Sequence, residues 1–152
     1  MKKNVLFVFL FFSFGLLVQA QDKKLIKEAL DNYFQGYIQN DSVILQKSFE
    51  LDYGHMKGIG KNKLSQDSLW TRNFDVVVRR WATKTPFTDA QKKKSYYKIL
   101  SLDIVEEKMA VVKIKIQLGD RLFIDYLSLY KINGIWKIVN KIFVELPASN
   151  KN

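Results

Sequence analysis

The fold of this chain is decided by the stretch from Arg121 to Leu146, which reads RLFIDYLSLYKINGIWKIVNKIFVEL. Apolar and polar residues alternate on both sides of Asn133-Gly134, and a period of two residues is typical of strands with one buried face. Asn-Gly is a strong hairpin signal because a type I′ turn requires a positive φ at both central residues. The stretch therefore predicts an antiparallel hairpin with strands over 121–132 and 135–146.

Two further strands are predicted before this hairpin, over Tyr96–Val105 and Met109–Leu118. Gly119-Asp120 supplies another two-residue turn, so the strands form a meander. The two turns set a register in which Asp125 pairs with Ile114 on one side and with Ile142 on the other. The inner face then carries an apolar set: Ala110, Val112, Ile114, Ile116, Phe123, Leu127, Leu129, Trp136, Ile138, Ile142 and Val144.

Asp125 and Asn140 interrupt this apolar face and are diagonal neighbours in the predicted register. A carboxylate among apolar side chains costs free energy unless it is hydrogen-bonded, paired or used. Two interpretations stay open. In the first, the amide of Asn140 satisfies Asp125 within a closed buried pair. In the second, Asp125 lines a cavity, where it accepts a hydrogen bond from a ligand or acts as a general base.

The first half of the chain has the periodicity of helices. One helix is predicted over Lys23–Gln39 with Asp22 as its N-cap, and a short second one from Asp41 or Ser42 to Phe49, with Val43 facing inward. Helical spacing also predicts a third helix over 65–81, followed by a loop over 84–94 that holds Pro86.

The N-terminus has the features of a secretory signal peptide. Lys2 and Lys3 precede an apolar run over 5–18, and small residues lead to a cleavage site after Ala20. An N-terminal membrane anchor is the alternative, but the run is shorter than the ~20 residues that a spanning helix needs. We therefore expect an exported protein, periplasmic or secreted, with one domain over 21–152 and no membrane span after signal removal.

Composition restricts the classes of function. The chain contains one His and no Cys, so neither a zinc centre nor a disulfide is expected, and no carboxylate spacing fits calcium. Nucleotide-binding and nucleophile motifs are absent, and no cofactor is expected. The net charge of +10 would suit a polyanion, but the lysines are spread along the chain, as in a soluble surface.

Several motifs together resemble a known superfamily. Tyr33-Phe34-Gln35-Gly36-Tyr37, Asn40-Asp41, Asp125-Tyr126-Leu127-Ser128-Leu129 and the run from Asn133 to Lys141 are similar to the nuclear transport factor 2-like superfamily. Within it, the putative lumazine-binding branch, itself similar to the polyketide-cyclase-like group, is the best match. The resemblance implies an α+β cone, in which a curved antiparallel sheet wraps around N-terminal helices and leaves a cavity at the wide end.

The candidate ligand site follows from this expected cone. Asp125 and Asn140 would be polar anchors for a small apolar or aromatic molecule, in an exported and non-catalytic binding domain. An isomerase, dehydratase or cyclase is the first alternative, with Asp125 as the base and His55 or a tyrosine stabilising the oxyanion. A structural or interaction module without a ligand is the second. The further candidate ligand-binding residues are Tyr33, Tyr37, His55, Trp70, Phe74, Trp81 and Tyr97.

The outer face of the sheet carries lysines and aromatic residues. The resemblance implies a homodimer through this face, with Tyr126, Tyr130, Val139 and Phe143 at the interface. Aromatic residues among lysines can also stack nucleic-acid bases, but export disfavours that partner.

Overall fold

The computed structural model describes the backbone of residues 4–147 and the side chains of residues 19–147. Within these residues, none of the helices has both the length and the apolar character that crossing a membrane would require. The elements are, in chain order, α1 (Asn4–Gln39), α2 (Ser42–Ser48), β1 (His55–Lys61), β2 (Asp67–Asn73), α3 (Phe74–Ala82), α4 (Asp89–Lys94), β3 (Tyr96–Val105), β4 (Met109–Leu118), β5 (Arg121–Ile132) and β6 (Ile135–Leu146).

The six strands form one curved and unclosed sheet in the order β2-β1-β6-β5-β4-β3. All neighbours are antiparallel except β1 and β6, which are parallel, so the sheet is mixed. The helices cover its concave face, and the core lies between the two layers. The predicted α+β cone is confirmed.

The predicted meander is confirmed, since β3 to β6 have the predicted bounds. Asn133 and Gly134 have φ of 50° and 81°, as a type I′ turn requires. The pairing of Asp125 with Ile114 is also as predicted.

A β-bulge in β6 changes the register that the turn alone predicts. Leu129 pairs with Ile138, but Ser128 pairs with Asn140, so Val139 is an extra residue on β6. An extra residue exchanges the two faces of a strand beyond it. Lys141 is therefore buried on the concave side, where the sequence predicts Asn140.

Because of the same bulge, three further residues of β6 lie on the face opposite to the one predicted. Ile142 and Val144 were expected in the core, but their side chains are 47% and 55% exposed on the outer face. Phe143 was expected on the outer face and instead packs against the core.

The predicted third helix over 65–81 is wrong in its first half. Residues 67–73 form strand β2, which pairs along its whole length with β1, and helix α3 begins at Phe74. Trp70 is half-buried while Leu69 is 71% exposed, so residues here alternate with a period of two. Local helical spacing was overridden because residues 67–73 pair with β1, the strand that precedes them in the chain, in an antiparallel hairpin.

Other corrections concern the helices. Helix α1 begins at Asn4 rather than at Lys23, and α4 lies within the predicted loop. Asp22 is not an N-cap but a buried residue of α1, whose Oδ1 accepts a hydrogen bond from Trp136 Nε1 at 2.9 Å. Val43 is 66% exposed rather than inward. The predicted signal peptide falls largely on residues whose side chains lie outside the described part, and it stays a prediction.

Candidate functional site

A cavity opens between α1, α3 and the concave face of the sheet. Its volume is about 250 Å³, near the lower end of the ~300–1,000 Å³ that small-molecule sites occupy. A cavity of this volume has room for a small molecule. The lining residues are Tyr33, Tyr37, Met56, Trp70, Arg72, Val77, Arg80, Trp81, Lys84, Ile116, Leu118, Arg121, Phe123, Lys141 and Phe143.

Aromatic rings form two walls of this cavity. On the helix side, Trp81 stacks on Tyr33 with ring centroids 5.7 Å apart and meets Tyr37 edge-on at 5.0 Å. On the sheet side, Trp70 meets Phe143 edge-on at 6.0 Å. Aromatic faces and edges on both sides suit a flat molecule.

Gly58 sets the position of the sheet-side wall. It pairs with Trp70 across β1 and β2, and the indole ring lies directly over its backbone. A Cβ added at Gly58 would lie 2.3 Å from the Trp70 ring, whereas one added at Gly60 would lie at 3.5 Å, an ordinary contact. The absence of a side chain at Gly58 therefore lets the indole lie flat against the strand.

We expect Gly58→Ala to displace Trp70 and to lower the free energy of unfolding by about 1–3 kcal/mol, the usual cost of overpacking. Gly60→Ala on the same strand is the matched control and should change stability little. Urea denaturation of both variants tests this, and equal stabilities would contradict it.

The floor of the cavity is a buried polar cluster. Asp125 is fully buried, and its Oδ2 forms an ion pair with Lys141 Nζ. The same Oδ2 accepts a hydrogen bond from the Tyr33 hydroxyl at 3.1 Å, and Lys141 Nζ donates to that hydroxyl oxygen at 3.0 Å. Tyr33 and Lys141 line the cavity, while Asp125 lies behind them.

Burial and charge set the protonation of this cluster. Burial lowers the pKa of the Lys141 ammonium, and the neighbouring Asp125 carboxylate opposes that shift. Burial also raises the pKa of the Tyr33 phenol, with Asp125 adding to the effect. Asp125 balances the charge of Lys141, so the floor is neutral overall. An ammonium has three donors, and Asp125 and Tyr33 use two of them, which leaves one for a ligand.

The raised pKa of Tyr33 predicts a loss of stability at alkaline pH. Above 10.0, the ordinary value for tyrosine, the unfolded chain loses the phenolic proton while the folded protein keeps it. Ionisation then favours the unfolded state by up to about 1.4 kcal/mol for each pH unit. Tyr33→Phe removes this effect. The stability difference between wild type and variant should therefore be constant below pH 9 and shrink above pH 10.

Urea unfolding of both proteins between pH 8 and pH 11 measures this difference. A difference that stays constant throughout would mean that Tyr33 ionises equally in both states.

The structure brings together some of the predicted site residues and separates others. Tyr33, Tyr37, Trp70 and Trp81 line the cavity, although their role in binding stays a prediction. The other predicted residues do not line it: Asp125 lies behind the floor, Phe74 is in the core, Tyr97 donates to Asp31, and His55 and Asn140 pair side by side beyond the bulge.

Sequence reasoning missed Lys141, Phe143 and the cationic residues of the lining. Lys141 carries no signal without the bulge, because the simple register places it outside. Arg80 lies on α3, one residue before Trp81, whereas Lys84 lies beyond the end of that helix at Ala82, so no helical spacing links the two.

Solved structures of other proteins share this fold, as three examples show. A nuclear transport factor 2-like (NTF2-like) protein of unknown function from Shewanella baltica OS155 has a TM-score of 0.69 at 22% identity, over 84% of this chain and 96% of that chain. A second NTF2-like protein of unknown function, from Silicibacter pomeroyi DSS-3, has a TM-score of 0.65 at 16% identity, and the match covers 84% of this chain and 98% of that chain. A third, from Methylobacillus flagellatus KT, has a TM-score of 0.65 at 20% identity, and the match covers 84% of this chain and 94% of that chain. Such low identities establish the fold alone.

No curated protein is similar enough in sequence to match the chain. A family model does match, with the description "Putative lumazine-binding", over residues 21–144. Because this match covers most of the chain, the protein belongs to the putative lumazine-binding family, and its fold is that of the nuclear transport factor 2-like proteins described above.

Proposed function

We propose that this protein is an exported domain that binds a small, flat molecule in the cavity and catalyses no reaction on it. The observation that carries the proposal is the combination of two aromatic walls with a neutral floor that offers one free hydrogen-bond donor, on Lys141. Such a site holds a planar body between the walls, and Lys141 can donate to a carbonyl or ring-nitrogen acceptor at its deep end. The family description points to a ligand of this shape.

The position of Asp125 favours binding over catalysis. A general base must come within hydrogen-bond distance of the proton that it removes. Asp125 is fully buried, its Oδ2 is bound by Lys141 and Tyr33, and the cavity wall does not include it. The alternative of an isomerase, dehydratase or cyclase would require these two side chains to move aside.

Export rests on the N-terminal pattern and gains support from the family match. The match begins at residue 21, directly after the cleavage site predicted at Ala20.

The chain contains three tryptophans, which allow a direct test of binding. Trp70 and Trp81 line the cavity, while Trp136 is buried elsewhere and donates to Asp22. Titration with naphthalene-2-carboxamide, a flat neutral probe, should shift the indole N–H signals of Trp70 and Trp81 in ¹H–¹⁵N spectra and leave that of Trp136 in place. If neither cavity signal moves at millimolar probe, the proposed function is wrong.

We also propose that the outer face of the sheet forms a homodimer. Val111, Tyr126, Tyr130, Ile142 and Val144 remain 44–55% exposed there, a contiguous apolar surface of the kind that interfaces cover. Relative to the predicted interface, the bulge removes Phe143 and adds Ile142 and Val144.

Light scattering at micromolar concentration should therefore give the mass of a dimer, and Tyr126→Glu should give that of a monomer. A monomeric wild type would contradict this proposal.

A further inference from the structure

We propose that the ligand of this cavity is an anion, and that Arg72, Arg80 and Lys84 bind its acidic group at the mouth. The inference rests on the proposed function and specifies its ligand class: a flat molecule with a carboxylate, sulfonate or phosphate at its outer end. Three observations support it, namely the charges of the lining, their partners, and the way the helix presents them.

The charged side chains that line the cavity are all basic. The lining residues contain five cations, Arg72, Arg80, Lys84, Arg121 and Lys141, and no Asp or Glu. A cleft that carries one sign of charge between apolar walls concentrates counter-ions of the opposite sign.

Two of these cations already have a carboxylate partner. Lys141 pairs with Asp125, and Arg121 forms two hydrogen bonds to Glu145, from Nε at 2.7 Å and from Nη2 at 2.6 Å. Arg72, Arg80 and Lys84 form no salt bridge with any residue in the described part of the chain. All three of these side chains are exposed to solvent, so the unbalanced charge lies at the mouth, while the floor is neutral.

The aromatic walls hold two of the three unpaired cations in place. The Arg72 guanidinium lies 4.7 Å from the ring centroid of Trp70 on the sheet side. Lys84 Nζ donates to the Tyr37 hydroxyl at 2.9 Å on the helix side. A flat molecule between the walls would thus meet a cation on either side of its outer end. Guanidinium groups bind carboxylates and phosphates with two parallel hydrogen bonds.

Helix α3 presents its cations selectively. Arg80, together with Val77 and Trp81, lies on the face that lines the cavity. Arg79, the preceding residue, does not line the cavity and pairs instead with Asp75 at 2.8 Å. Arg79 and Arg80 carry the same charge, but only Arg80 lines the cavity, so Arg79 is a control of equal charge.

The test compares naphthalene-2-carboxylate with the isosteric naphthalene-2-carboxamide, using the Trp70 and Trp81 indole signals to measure affinity. A hydrogen bond to a charged group predicts that wild type binds the carboxylate about tenfold more tightly than the amide. Added salt should weaken carboxylate binding and leave amide binding unchanged.

Variants locate the effect. Arg80→Gln and Lys84→Gln should each weaken carboxylate binding much more than amide binding, so that most of the preference for the carboxylate is lost. Arg79→Gln should leave both affinities as in wild type. A preference that is equally reduced by Arg79→Gln would mean that net charge, and not the mouth, is responsible, and would overturn the inference.

The outcomes separate this inference from the proposed function. If both probes shift the Trp70 and Trp81 signals with equal affinity, the cavity binds flat molecules but does not prefer an anionic ligand, and the inference is wrong. If neither probe shifts them, the proposed function fails, and the inference fails with it.

Discussion

Replacing Lys141 with Met will lower the free energy of unfolding by about 3–5 kcal/mol, the usual cost of removing one partner from a buried ion pair. Asp125 would keep its position at 0% exposure but lose the ammonium that balances its charge. The Tyr33 hydroxyl would remain as a donor to Oδ2. A single neutral donor does not compensate a buried carboxylate. Urea denaturation at pH 7 measures the loss.

The double variant Lys141→Met/Asp125→Leu shows whether the loss of stability comes from breaking the ion pair or from the changed volume of the side chain. Apolar replacement of both partners removes the buried charge, so most of the lost stability should return. Lys27→Met is the exposed control, because the Lys27–Asp31 ion pair has side chains that are 60% and 43% exposed. Its loss should cost less than about 1 kcal/mol. A double variant no more stable than Lys141→Met would mean that the loss comes from packing.

The sequence predicted the meander because its signals are local. Alternation identifies each strand, and Asn133-Gly134 fixes the hairpin through the backbone angles that these two residues adopt. The register next to this turn is correct, as the pairing of Leu129 with Ile138 shows. These features depend on residues that are close in the chain.

The floor of the cavity was mispredicted because its position depends on the bulge at Val139. The predicted register brings Asn140 to the inner face, where an amide beside Asp125 is chemically reasonable. No residue of the run from Ile138 to Lys141 marks a bulge by itself. The parallel contacts of β6 lie on either side of the bulge, with Phe49 at Ile138 and with β1 at Asn140, and they join segments that are far apart in sequence. A pattern within one strand therefore cannot reveal it.

The division of residues 65–81 between a strand and a helix has a different cause, because β2 pairs with β1, the strand just before it in the chain. The apolar residues there fit a helical spacing, and α3 does begin within the predicted range. Strand β2 exists because β1 supplies its partner and because Gly58 leaves room for the Trp70 ring. The predicted helix over 65–81 contained both Trp70 and Trp81, but Trp70 lies on β2 and Trp81 on α3, on opposite walls of the cavity.

This separation predicts different consequences for the two tryptophans. Trp81 is 8% exposed and packs against Tyr33, Tyr37 and Phe49. Trp81→Ala should therefore lower the free energy of unfolding by about 3–5 kcal/mol, as for other large core residues. Trp70 is half-buried on the edge strand β2, and Trp70→Ala should cost about 1–2 kcal/mol because less apolar surface returns to water.

Binding should respond to both changes, because each removes one wall of the same cavity. We expect either variant to bind naphthalene-2-carboxamide about tenfold more weakly, from lost aromatic contact and buried area. Urea denaturation gives the stabilities, and the remaining cavity indole reports binding in each variant. If Trp70→Ala binds the probe as tightly as wild type does, then β2 does not contribute to the binding site. Equal stability losses would instead place Trp70 in the core, so that the cavity would have one aromatic wall and no reason to prefer a flat ligand.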